Sequence, residues 1–344
     1  MKYITFTIPS YNSQEYMRHI IDNLVAVGDD IEVIIVNDGS KDDTGKIADE
    51  YQNKYPTIVK AIQKENGGHG SGVMAGIHNA TGIFYKVVDS DDWVETKDVI
   101  EMLDLIKKHI SEGIDIDLYI TNYVYEHASD NSLFVMHYRK CLPIDKPFSW
   151  SKMKHVKLDT VFLMHSLMYR LDKLKASGME LPNHTFYVDD IYAYVPLPHM
   201  QNIFYHDLDF YHYFIGRSDQ SINYGIMCKR YEQQMRVWKI MFESYNLDKL
   251  KTFPKPLYKY MWHDLMIIGA VTVMTIIGTK EDKKIRKTAF KEFFKELKQI
   301  DKKLYKKFAR SAPGILALWT PGYSFKSFAC RKIYGFCQRK LKLG

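Results

Sequence analysis

Residues 84–93 read Phe84-Tyr85-Lys86-Val87-Val88-Asp89-Ser90-Asp91-Asp92-Trp93. The first half has the aromatic and β-branched content of a buried strand, with Gly82 as a breaker just before it. Three carboxylates then crowd into four positions. Like charges this close repel, and they stay ionised only beside something positive. A divalent cation with oxygen ligands, held between the protein and a diphosphate, meets that need. Open α/β sheets bind ligands at the carboxyl ends of their strands, which is where these acids stand. The plain alternative is an acidic surface turn with Asp92 as a helix N-cap.

Working outward, residues 1–95 alternate strand and helix. Residues 4–8 form a first strand, and residues 14–27 carry apolar side chains at helical spacing (Tyr16, Ile20, Ile21, Leu24, Val27). Residues 31–36 are continuously apolar, as in a parallel strand covered on both faces. Asp38-Gly39-Ser40 is a turn, and Asp42 or Asp43 caps a helix running to Tyr51. A third strand spans 58–62. A flexible glycine loop, Gly67-Gly68-His69-Gly70-Ser71-Gly72, then leads into a helix ending at Asn79. Strands separated by helices imply βαβ units and a doubly wound α/β sheet.

The second half is more mixed. Residues 96–113 form an amphipathic helix, 117–125 and 133–139 a strand pair, 141–160 an irregular acceptor-side loop, and 161–169 a strand. Residues 187–194 carry Asp189-Asp190 into a helix, and the aromatic-rich stretch 203–213 ends in Gly216-Arg217-Ser218-Asp219-Gln220-Ser221. From Cys228 onward the pattern is helical, over 228–244, 256–277 and 281–307, with a looser piece near 325–341. The expected organisation is 1–115 and 116–225 as two halves of one domain, followed by a helical, basic region, 226–344.

Composition narrows the class. The 344 residues suffice for a sizeable core, and the four cysteines, widely spaced, suggest neither a zinc site nor a disulfide framework. They fit a reducing, cytoplasmic compartment. The N-terminus is too short and too alternating for a signal peptide. The apolar run 265–279 falls short of the roughly 20 residues of a spanning helix and reads as buried or interfacial. The net charge of +7 is uneven: residues 280–344 hold 19 Lys and Arg against 5 Asp and Glu, so residues 1–279 are net acidic. The basic tail invites an anionic polymer or the inner face of the cell membrane, or is the solvated face of a helical bundle. Nucleic acid is not expected as a partner.

Four motifs occur in order at βα spacing: Ile8-Pro9-Ser10-Tyr11-Asn12, Ile35-Val36-Asn37-Asp38-Gly39-Ser40-Lys41-Asp42, Glu65-Asn66-Gly67-Gly68 and Val88-Asp89-Ser90-Asp91-Asp92. Over about residues 1–225 the chain strongly resembles the family 2 glycosyltransferases of the GT-A fold. The resemblance implies a UDP-sugar donor and Mn²⁺ or Mg²⁺ as cofactor. It puts Pro9, Tyr11 and Asn12 against the nucleobase and ribose, Asp38 on the uracil edge, and Asn66 and Gly68 where backbone approaches the donor. Asp89 and Ser90 then face the ribose side, and Asp91 holds the metal. Arg217, Gln220 and Ser221 resemble a segment that closes over the diphosphate; an Arg fork pairs well with phosphate oxygens.

The family carries an acid pair at a helix start, and here it is Asp189-Asp190, with Asp190 as the base that deprotonates the acceptor hydroxyl. Helix capping would use only one acid. Many members have Glu at the first position, which leaves the role of Asp189 open. Trp93 is either a sugar-pocket wall or a core anchor. His165, His206 and His212 are either satisfied core residues or metal or acceptor contacts, and His69 either touches the diphosphate or stands in an exposed loop. Glu15 reads as a helix-start carboxylate.

The implied reaction is an inverting displacement that leaves UDP. The implied acceptors are glycans, lipid-linked glycans or polymers, and relatives use C-terminal helices to form homo-oligomers. Two other readings compete. Gly70-Ser71-Gly72-Val73-Met74-Ala75 matches G-x-G-x-x-A, the pattern of an NAD-dependent oxidoreductase, although it follows the third strand rather than the first. A non-catalytic sugar-nucleotide or polymer-binding relative would be expected to lose the acids, which are intact.

Overall fold

Ile4–Ser10 is buried at every position, and this strand, β1, sits inside the sheet because it offers apolar or small side chains to both faces. The computed structural model describes residues 1–127, 132–154, 160–215, 223–318 and 332. It divides into two compact units, Met1–His155 with Phe162–Phe214, and Val156–Val161 with Ile215–Gly344.

In the first unit, β2 (Ile31–Asp38) and β4 (Phe84–Val87) flank β1 in parallel, and β3 (Val59–Lys64) pairs with β2. The intervening helices are α1 (Met17–Val25), α2 (Thr44–Lys54) and α3 (His69–Asn79). After α4 (Thr96–Ser111) the sheet turns antiparallel. It gains β5 (Leu118–His127), β6 (Leu133–Met136), β7 (Pro147–Phe148), β8 (Leu167–Arg170) and β9 (Ile203–Ile215), in the order β3-β2-β1-β4-β8-β5-β9-β7 with β6 on β5. Helices α5 (Leu171–Ala176) and α6 (Asp189–Tyr194) lie between β8 and β9. Parallel β4 thus meets antiparallel β8, and the acidic motif leaves the sheet at this change of direction.

Three expected elements differ. The glycine loop is short, because α3 already begins at His69 and takes in Gly70 and Gly72. The strand expected over 161–169 is reduced to β8, since residues Met164–Ser166 form a 3₁₀ turn. The helix expected over 281–307 breaks at Asp301, whose carboxylate accepts from the backbone N–H groups of Lys303 and Leu304. A side chain that satisfies two orphan donors starts a new helix more readily than it continues the old one. Asp42, not Asp43, accepts from the Thr44 N–H at the start of α2.

The second unit is helical: α7 (Tyr224–Lys229), α8 (Tyr231–Ser244), α9 (Leu247–Leu250), α10 (Lys255–Gly278), α11 (Lys283–Ile300), α12 (Lys302–Ala309) and α13 (Ala312–Leu318). Its core is Trp238, wedged against Phe293 and Phe308 at 5.6 and 4.8 Å, with its indole N–H on the Leu265 carbonyl. Gly269 lets the indole approach α10, since a Cβ there would lie 2.6 Å from the ring. By length and composition α10 could cross a membrane, yet most of its apolar stretch is buried. The periodicity of α11 and α12 sends Phe293, Phe294, Leu297, Leu304 and Phe308 inward and leaves lysines such as Lys284, Lys291, Lys295 and Lys302 in solvent.

Candidate active site

The acids after β4 occupy different surroundings. Asp89 is partly buried, and its carboxylate lies 2.8 Å from His69 Nε2 at the start of α3. Burial opposes charge on both groups, but their mutual attraction wins: His69 is raised above the usual histidine range and Asp89 lowered below the usual carboxylate range. Asp189 and Asp91 also act on His69, so one imidazole ring faces acids from two separate segments. Ser90 Oγ meets Ser13 Oγ at 2.7 Å, which ties the motif to the loop after β1.

Asp92 is turned inward and almost fully buried. One oxygen accepts from the Tyr211 hydroxyl at 2.6 Å and the other from the Phe214 N–H at 2.9 Å. Burial, with Asp91 and Asp89 nearby, pushes its pKa well up. Asp92 is therefore no surface N-cap: Glu95 holds the cap position of α4. The Tyr211 hydroxyl also accepts the Asp89 N–H at 3.1 Å, so β9 pins the motif at two points.

Beneath the motif lies Lys86, fully buried on β4. Its ammonium donates to the carbonyls of His165 and Leu167 and rests over the Tyr211 ring, 5.1 Å from its centroid. Burial draws its pKa down to about 7, against the pull of Asp89. His165 is buried too, stacked on Tyr211 at 4.6 Å and tilted on Tyr213 at 4.5 Å. Burial lowers its pKa to about 4, so the ring is neutral at physiological pH.

One ligand atom each from Asp89, Asp92 and His165 lies within 4.8 Å of the others. Two carboxylates and a neutral imidazole, with the His165 Nδ1 lacking a hydrogen-bond partner, fit a divalent cation chemically. Asp91, the expected ligand, lies outside this trio and acts on His69 and Asp92.

The nucleotide side is built around Asp38. Its carboxylate accepts the N–H groups of Gly67 at 2.9 Å and Gly68 at 2.7 Å and pairs with Lys64 at 2.5 Å. Asn66 donates to the Asp38 carbonyl. Asn12 adopts a left-handed φ of 51°, accepts the Lys41 N–H on its side chain and donates its own N–H to Ser40 Oγ. It joins the loops after β1 and β2. Pro9 is buried against Gly72, whereas the Tyr11 ring is half exposed.

The glycines make room for the protein's own chain. A Cβ on Gly68 would meet the His184 backbone at 3.1 Å, and one on Gly70 would meet Leu181 at 3.0 Å. His184 N–H donates to the Gly67 carbonyl. Residues 181–188 thus cross the start of α3 and deliver Asp189 and Asp190 to it. Tyr187, at φ 66°, takes the turn into α6, an uncommon conformation for an aromatic residue. Neither acid caps that helix, because the cap position is Val188. Burial raises the Asp189 pKa, and His69 opposes the rise. With Gly70, Gly72 and Ala75 all inside α3, the G-x-G-x-x-A match forms no phosphate loop.

The remaining candidates scatter. Trp93 stacks flat on His212 at 5.3 Å and donates to Glu95, which anchors the motif to β9. His212 pairs with Glu126, and His206 with Asp145 and Glu101. Arg217, Gln220 and Ser221 lie outside the described residues. Sequence reasoning missed Lys86, Lys64 and Tyr211. Lys86 left a signal, since a lysine inside an otherwise apolar buried strand requires an internal partner. Tyr211 left none in its local pattern.

Residues 5–166 match the family described as Glycosyl transferase family 2. The putative glycosyltransferase EpsH of Bacillus subtilis is 31% identical over 212 residues, covering 57% of this chain and 60% of EpsH. Glycosyltransferase GlyA of Streptococcus pneumoniae is 34% identical over 135 residues, covering 39% of this chain and 18% of GlyA. The chain therefore spans less than two thirds of the length of either relative. Among solved structures, S. aureus TarS 1–349 in complex with UDP-GlcNAc shares the fold with a TM-score of 0.63 at 17% identity, covering 96% of this chain and 92% of that one. The ordered motifs, the mixed nine-stranded sheet and these matches agree: residues 5–166 carry a family 2 glycosyltransferase region, and the chain is built on the GT-A fold.

Proposed function

We propose that this chain moves a hexosyl or N-acetylhexosaminyl group from a UDP-sugar to an acceptor hydroxyl, with inversion, in the synthesis of a cell-surface polysaccharide, wall polymer or glycoprotein. The observation that carries the reading is the meeting around His69 of Asp89 and Asp91 after β4 with Asp189 at the start of α6, where Asp190 is the next residue. An in-line displacement needs positive charge at the leaving diphosphate, which acids of the first pair would hold as a cation, and a base at the incoming hydroxyl, which the second pair would supply.

In this reading the exposed Tyr11 ring and Pro9 flank the uracil, and Asp38 with Lys64 borders its edge. Asn12 and Asn66 hold the surrounding loops, and Gly68 shapes the pocket floor. Asp89 and Ser90 face the ribose, and the resemblance assigns Arg217, Gln220 and Ser221 to the diphosphate. Mn²⁺ or Mg²⁺ held by Asp91 would supply electrostatic stabilisation of the departing UDP. Asp190 accepts the acceptor's proton as its oxygen attacks the anomeric carbon. Asp189, with its pKa raised, orients the acceptor and keeps His69 in place. Trp93 supports the motif from behind.

The acceptor is a glycan, a lipid-linked glycan or a polymer, met in the cytoplasm or at the inner membrane face. The exposed lysines of α11 and α12 suit an anionic partner of that kind. Copies of the chain would associate through the side chains of α10 left partly uncovered, such as Trp262 and Met266.

The test is UDP release from a panel of UDP-sugars with Mn²⁺, starting with UDP-GlcNAc because a TarS structure holds it. One donor should be hydrolysed slowly, and Asp91→Ala should abolish that hydrolysis. Release from no donor, with no UDP-dependent thermal shift, would overturn the reading.

A further inference from the structure

We propose that the divalent cation assigned above to Asp91 is also held by His165, a nitrogen ligand that forms with Asp89 and Asp92 a seat of two carboxylates and one imidazole, so that Asp89 serves the ion as well as the ribose side. The inference rests on the metal-dependent reading above and extends it to a residue outside the acidic motif.

Three observations converge. The ligand atoms are already gathered, within 4.8 Å of one another, although they come from the end of β4 and from the turn before β8. The His165 ring is 6% exposed, and its Nδ1 has no hydrogen-bond partner. A buried polar atom left unpaired costs about 1–3 kcal/mol, and a metal ion beside it is one group that would satisfy it. Finally, the ring is held from every side. Tyr211 and Tyr213 stack or tilt against it, Tyr123 meets it edge-on at 5.8 Å, and the Lys86 ammonium holds its carbonyl. Metal ligands are commonly fixed in this way by a surrounding shell, and Asp92 has one of its own in Tyr211 and the Phe214 N–H.

Lys86 and His69 bring positive charge to the trio, and the carboxylate oxygens still keep acceptor capacity. Each Asp92 oxygen accepts one hydrogen bond and keeps a lone pair for an ion. Asp89 gives one oxygen to His69, which leaves its second for the seat.

A nitrogen ligand has a functional consequence. Mg²⁺ prefers oxygen and keeps its waters, whereas Mn²⁺, Co²⁺ and Zn²⁺ accept imidazole more readily. The seat therefore favours Mn²⁺ over Mg²⁺, and that preference should shrink when His165 is removed.

The test is pulsed electron paramagnetic resonance of Mn²⁺ bound to the full chain with UDP. With ¹⁵N-histidine labelling, a coupled histidine nitrogen is expected on the bound Mn²⁺. It should vanish in His165→Gln and persist in His69→Asn. Mn²⁺ affinity in His165→Gln should fall roughly tenfold or more, with metal-free UDP binding unchanged. Bound Mn²⁺ without histidine coupling in the unsubstituted chain would overturn the His165 assignment and leave the metal-dependent reading intact. Coupling lost in His69→Asn but kept in His165→Gln would overturn it equally. If Mn²⁺ does not bind with UDP at all, the metal-dependent reading falls and the assignment falls with it.

Discussion

Asp264 gives the helical unit a pH dependence whose size follows from burial alone. It lies in the middle of α10, 3% exposed, and burial raises its pKa from an ordinary 3.8 to about 7. The sign follows from where the proton binds more tightly. The folded carboxyl holds its proton to about pH 7, whereas the unfolded one releases it near 3.8. Between these values the unfolded state binds fewer protons, so stability falls as pH rises and levels off above the folded pKa. Each pH unit in that window is worth about 1.4 kcal/mol, so the whole window amounts to about 4 kcal/mol and the part between pH 5 and pH 7 to about 3 kcal/mol. Asp264→Asn keeps the shape and removes the titration. Urea unfolding at pH 5 and pH 8, followed by far-ultraviolet circular dichroism, reads the difference. The unsubstituted chain should lose roughly 1–3 M in midpoint across that range, and Asp264→Asn should lose much less. An identical loss in both proteins would refute the argument, because the pH dependence would then arise elsewhere.

Asp190→Asn should lower turnover about 10²–10⁴-fold while UDP binding, measured by calorimetry, stays within about twofold. Gly76→Ala should destabilise the first unit by about 1–3 kcal/mol in denaturant titration, because its Cβ would run into the Thr7 side chain and the Tyr85 hydroxyl. Asp38→Ala should cost about 2–5 kcal/mol, since it strands two glycine N–H groups and the Lys64 ammonium, and it should weaken UDP binding in the same preparations. Tyr211→Phe removes the hydroxyl that serves Asp92 and the Asp89 N–H; Mn²⁺ affinity by titration should fall roughly tenfold with little change in fold.

The N-terminal architecture was legible because local signals agree there. Residues 31–36 are apolar throughout, and only a strand covered on both faces tolerates that; Asp38, Asp89 and Asp91 then mark strand ends by their chemistry. The second half was less legible because its constraints are long-range. The turn at Met164–Ser166 cuts short an apolar run that reads locally as a strand. The glycines before and inside α3 looked like ligand-facing permissive backbone, yet their neighbours are His184 and Leu181, more than a hundred residues away along the chain. No local pattern announces that packing. The same holds for Tyr211, whose hydroxyl reaches an acid 119 positions earlier.

The crowding of acids after β4 implied a positive partner, and the fold supplies part of it. His69 pairs with Asp89, and Lys86 stands beneath it, drawn to a pKa of about 7 by burial. Asp92 is the acid least able to stay charged without further help, since burial and its two neighbours push its pKa well up. The two hydrogen bonds it accepts oppose that rise without reversing it. A buried carboxyl in that position is relieved either by holding its proton or by a cation brought beside it. The protein's own cations reach Asp89, whereas among the described residues no lysine, arginine or histidine is hydrogen-bonded to Asp92. That asymmetry separates the two acids: Asp89 is held by the protein's own cations, whereas Asp92 is held by the Tyr211 hydroxyl and the Phe214 N–H of β9.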